Sequence, residues 1–70
     1  DSASAAAIEL LRTGVELFPR HPALHVRLGA ALRAAGDRTG AADAYRRAVA
    51  LNSMVRFAAV QLARLEGREP

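Results

Sequence analysis

The sequence predicts an all-α fold of four antiparallel helices, and three observations carry the prediction. Ala, Leu and Arg, all strong helix formers, dominate a chain in which no segment alternates apolar and polar residues over several positions. Apolar residues recur at helical steps in four stretches, each bounded by proline, glycine or a polar capping residue. Sizes also recur at a lag of 34 residues: Ala7, Leu11, Gly14 and Leu17 precede Ala41, Tyr45, Ala48 and Leu51, and Leu28-Gly29 precede Leu62-Ala63. A period of that length is expected of stacked helical hairpins.

The first helix is expected over 4–18. Ile8, Leu11, Val15 and Phe18 fall on one face there. Pro19 and Pro22 bracket a break, and Pro22 can open the next helix because a first-turn N–H has no intrahelical partner to lose. The second helix then runs from Pro22 to Ala35, with Leu24, Leu28, Ala31, Leu32 and Ala35 facing inward. Gly36 stops it and Asp37 caps the third helix, Arg38 to Leu51, whose buried stripe is Ala41, Ala44, Tyr45, Ala48 and Leu51. Ser53 is expected to cap a fourth helix over 54–67, built on Phe57, Val60, Leu62 and Leu65. Links of a few residues make successive helices antiparallel neighbours.

At 70 residues the chain is a single small domain, 1–70, with a modest core. It holds no cysteine, which excludes disulfides and thiolate metal sites. No apolar run reaches the roughly 20 residues that span a bilayer, and no signal peptide is visible, so no membrane role and a cytoplasmic location are expected. A start at Asp1 is expected of a processed chain or an excised piece. All ten basic residues are Arg, a bias that fits a GC-rich bacterial source. The formal net charge of +3 mildly favours acidic partners and falls short of a nucleic-acid footprint.

The ordered series Leu28-Gly29, Leu32, Gly36-Asp37, Ala41, Tyr45 and Ala48 resembles the tetratricopeptide repeat (TPR): Leu-Gly on a first helix, a turn, then alanine, an aromatic and another small residue on a second. Ser53 stands where that family carries a proline, Pro19 fills the place one period earlier, and His25 replaces a bulky aromatic. The resemblance implies one full repeat over 22–55, the second helix of a partial repeat over 4–18, and over 54–67 the first helix of a following repeat or a capping helix. It also implies a right-handed superhelical stack. Small residues at Gly29 and Ala41 would let the paired helices approach, and Tyr45 would fill the space between one pair and the next.

By the same resemblance, first helices line a groove for a peptide or a partner helix. The matching positions are Ala23, Val26, Ala30, Arg33 and Ala34, then Phe57, Val60 and Arg64. Such a surface suits a partner carrying apolar and acidic residues, since Arg binds carboxylates in a bidentate fashion. Val26 and Ala30 stand where the family's clamp for a chaperone carboxylate has Lys and Asn, so clamp-type binding is not expected.

Other chemistry finds little support in the residues. His21 and His25 are four apart, but Pro22 between them leaves His21 outside the helix, so no metal site is expected and His25 reads as a partly packed core residue. Asp43–Arg47 and Glu16–Arg20 have the spacing of surface ion pairs. Glu66 and Glu69 read as a solvated tail. Nothing resembles a nucleophile–base pair or a phosphate-cradling loop, so no catalytic residues and no cofactor are expected. The leading expectation is a protein-binding scaffold, followed by a self-associating helical bundle forming a homo-oligomer. A weak nucleic-acid binder comes third.

Overall fold

In the computed structural model, which describes residues 2–52 and 56–67, the described chain is all-helical. Helix α1 spans Ser2–Leu17, α2 Pro22–Ala34, α3 Arg38–Leu51 and α4 Arg56–Leu65. The anticipated Ser53 cap, the Met54 start of α4 and Glu69 lie outside the described residues. No described helix is long and apolar enough to cross a membrane.

The turn between α2 and α3 forms as its residue types dictate. Gly36 takes φ +89°, a left-handed conformation that L side chains rarely adopt. Its N–H donates to the Arg33 carbonyl, and the Asp37 N–H donates to the Leu32 carbonyl. This Schellman arrangement satisfies two carbonyls that the helix end would otherwise leave unpaired. Asp37 then accepts from the Gly40 N–H at 2.8 Å through Oδ1, capping α3.

The helices pack in chain order, α1 on α2, α2 on α3 and α3 on α4, with the α2–α3 seam the most extensive. Across that seam Gly29 meets Tyr45, each eight residues from Asp37, as an antiparallel hairpin requires. Between α3 and α4, Tyr45 meets Phe57 near one end and Arg38 donates to the Leu65 carbonyl at the other, so this pair is antiparallel too.

The core is centred on α3. Leu28, Leu32, Ala41, Ala44, Tyr45, Ala48 and Ala58 form the buried cluster, and Ile8, Leu11, Val15, Val26, Val49, Leu62 and Leu65 pack around it. Alanines on α3 bring the helices close, and Tyr45 is the largest fully buried side chain among the described residues.

Several expected core positions lie elsewhere. Phe18 is 60% exposed because α1 ends at Leu17 and the ring belongs to the turn. Leu51, at the last turn of α3, is exposed, and Ala35, the C-cap of α2, is exposed as well. Ala58, which the sequence did not single out, is fully buried. His25 is more deeply placed than a partly packed residue: it is buried and shares a 2.8 Å hydrogen bond between Nε2 and the Pro19 carbonyl, tying α2 to the turn before it.

Candidate functional site

The groove positions fall into two faces of like order. On α2, Ala23, Val26, Ala30 and Arg33 follow one another at helical steps, and on α4 Phe57, Val60 and Arg64 do the same. Each face begins apolar and ends on an arginine in the last helical turn, where a cation also complements the helix dipole. Ala23, Arg33, Ala34, Phe57 and Arg64 are exposed, whereas Val26, Ala30 and Val60 are half-buried. Ala23 and Val26 border a shallow, mainly apolar hollow of about 430 Å³ with His21 and Pro22.

Tyr45 joins the two faces. Its ring lies against Gly29 so closely that a Cβ there would stand 2.8 Å from Cε1. The same ring meets Phe57 edge-on, with centroids 6.2 Å apart and planes at 73°. One side chain of α3 therefore sets the spacing of both α2 and α4. Phe57 nevertheless remains about half exposed, so a large aromatic surface faces water beside Val60.

Two ionic details differ from the expected pattern. Asp43 pairs at 3.0 Å with Arg46, three residues on, rather than with Arg47. Arg46 lies on the side of α3 that faces α4, and it also donates to Glu66, through Nε at 3.1 Å and through its terminal nitrogen. Two carboxylates around one guanidinium outweigh the single contact that Arg47 offers, so Glu66 latches α4 to α3 instead of belonging to a solvated tail.

A second concavity escaped the sequence reading. A cleft of about 420 Å³ opens between α1 and α3 over the floor of α2. Arg12 and Glu16 line one wall, Asp43 and Arg47 the other, and His25 lies below. The signal was present as two oppositely charged pairs at helical spacing on helices one period apart. Balanced charges give this cleft no preference for a ligand of one sign. His25 and His21 do not converge: His21 is the exposed residue preceding α2, and His25 Nε2 is committed to Pro19. Among the described residues no group of three His, Cys, Asp or Glu side chains could hold a metal ion.

No family model, curated protein or solved structure matches the chain.

Proposed function

We propose that the chain is a non-catalytic interaction module of the tetratricopeptide type, holding a peptide or a helix of a cytoplasmic protein along the α2 and α4 faces. The observation that carries the reading is the pair of equivalent faces running from apolar residues to Arg33 and Arg64, with Phe57 half exposed between them. Exposed apolar surface rimmed by charge is the usual mark of a protein-binding patch. Arginine is the side chain suited to pair with carboxylates of the bound segment. The preferred occupant is therefore an apolar peptide with acidic residues.

The test is fluorescence anisotropy with a panel of labelled peptides that vary apolar and acidic content. Phe57→Ala and Arg64→Glu are each expected to weaken the tightest binder by about tenfold, the equivalent of about 1.4 kcal/mol. A binder indifferent to both changes sinks the assignment of this face.

A further inference from the structure

Helix α1 has two apolar faces, and α2 covers only one. Ile8, Leu11 and Val15 pack toward the core. On another side, Ala6, Ala7, Leu10 and Leu17 are exposed, Leu10 by 74% and Leu17 by 68%, and half-buried Gly14 borders that stripe where Leu24 of α2 reaches it. That stripe holds no charge, whereas Glu9, Arg12 and Glu16 sit on a flank. An amphipathic helix with a second uncharged stripe has a surface to cover.

The 34-residue lag says what shape would cover it. Ala7, Leu10 and Gly14 correspond to Ala41, Ala44 and Ala48 of α3, which are almost completely buried in the core. Helix α4 has the reverse deficit. His25, Leu28 and Gly29 are buried on α2, yet their counterparts Ala59, Leu62 and Ala63 are exposed, half-buried and half-buried. The face of α1 thus matches a helix of the α2 kind, and α4 is such a helix with its corresponding face incompletely covered.

We propose that the occupant is a second copy of this chain: α4 of one copy docks antiparallel on α1 of the next, reproducing the α2–α3 seam between molecules. The inference rests on the repeat reading above, through the equivalence of α1 with α3 and of α4 with α2. Side-chain volumes are complementary. The close contact of Gly29 with Tyr45 becomes one of Ala63 with Leu11, which sits at the edge between the two faces and is only half-buried by the core, so a larger residue on one side is offset by a smaller one on the other. Neither matched stripe, Ala7, Leu10 and Gly14 or Ala59, Leu62 and Ala63, contains a charged residue that docking would bury unpaired. Because the two faces differ, the contact is heterologous: it leaves a free face at each end and grows into open chains rather than closing as a symmetric dimer. A contact of one helix on one helix is small, so association is weak and dependent on concentration.

Sedimentation of the whole chain over a concentration series, alone and as mixtures, tests this. The wild type is expected to climb steadily above 7.4 kDa. Leu10→Arg, which blocks the α1 face, and Ala59→Arg, which blocks the α4 face, should each remain at the monomer mass, and both sites are exposed, so neither change disturbs folding. Mixed together, the two variants should form a species of twice the monomer mass and no larger, each contributing its intact face. A wild type that stays monomeric throughout overturns the proposal. So does association abolished by only one of the changes, or a mixture that does not reassociate. A monomeric chain that still binds peptide through Phe57 would remove this interface and leave the interaction-module reading standing. Self-association without any peptide binding would do the opposite.

Discussion

Leu28, Leu32 and Tyr45 on the α2–α3 seam are all less than a tenth exposed, whereas Leu10 on α1, one period before the buried Ala44, is 74% exposed. The same helical pattern yields a core position in one place and bare surface in the other. What differs is whether a helix of the complementary kind lies opposite. Apolar periodicity specifies which faces of a helix want cover, and the neighbours decide which faces receive it. In this protein the middle pair supplies most of the buried cluster, and the outer helices leave Leu10 and Phe57 exposed.

Substitutions can break that contrast, and the largest effect falls at the centre. Tyr45→Ala removes the only large, fully buried side chain among the described residues and is expected to cost about 3–5 kcal/mol. That is comparable with the whole stability of a small domain, about 5 kcal/mol at the lower end, so the far-ultraviolet circular dichroism of the variant should show lost helix at room temperature. Gly29→Ala comes next. Alanine favours helix by about 1 kcal/mol over glycine, but its methyl would overlap a buried ring that cannot swing away. Overpacking of about 1–3 kcal/mol wins, and chemical denaturation should report net destabilisation. A stabilised Gly29→Ala would show that the seam is looser than described.

Gly36→Ala isolates the turn from the packing. A Cβ there meets nothing within 4 Å, so the expected loss of about 1–2 kcal/mol comes from the left-handed backbone alone. Tyr45→Phe should act in the other direction. The buried hydroxyl has no hydrogen-bond partner among the described residues, and removing it is expected to raise the denaturation midpoint by the equivalent of about 1 kcal/mol. Smallest of all is Leu10→Arg, which in dilute solution should leave monomer stability within about 0.5 kcal/mol of the wild type. A large loss there would mean that the outer face of α1 is already part of the core.

These magnitudes follow how much was readable from the residues. The Gly36 stop and the Asp37 cap were legible because both depend on neighbours within a few positions. Gly29 was legible as a point of close approach, but Tyr45 was expected between one pair and the next, and its ring against Gly29 within the pair was not foreseen because periodicity does not say which neighbour a large side chain meets. Phe18 and Leu51 were misplaced because burial at a helix end depends on what crosses it, which periodicity does not encode. Arg46 was overlooked in favour of Arg47 because its decisive partner, Glu66, lies twenty residues away on another helix. His25 reads deeper in the fold than in the sequence because its anchor is a backbone carbonyl, which side-chain patterns do not reveal. Of the groove, the order of residues on each face was legible; the edge-on contact that brings Phe57 to Tyr45 was not.

Tyr45 has one more consequence. The chain contains no tryptophan and no other tyrosine, so its intrinsic phenol absorption and emission come from this single ring. The ring is pressed against the backbone of Gly29 on one side and the edge of Phe57 on the other, and it cannot turn over without a transient parting of helices. Its flip rate in nuclear magnetic resonance spectra is therefore a clock for the breathing of the hairpin. The molecule carries its own label at the point where its two halves are held together.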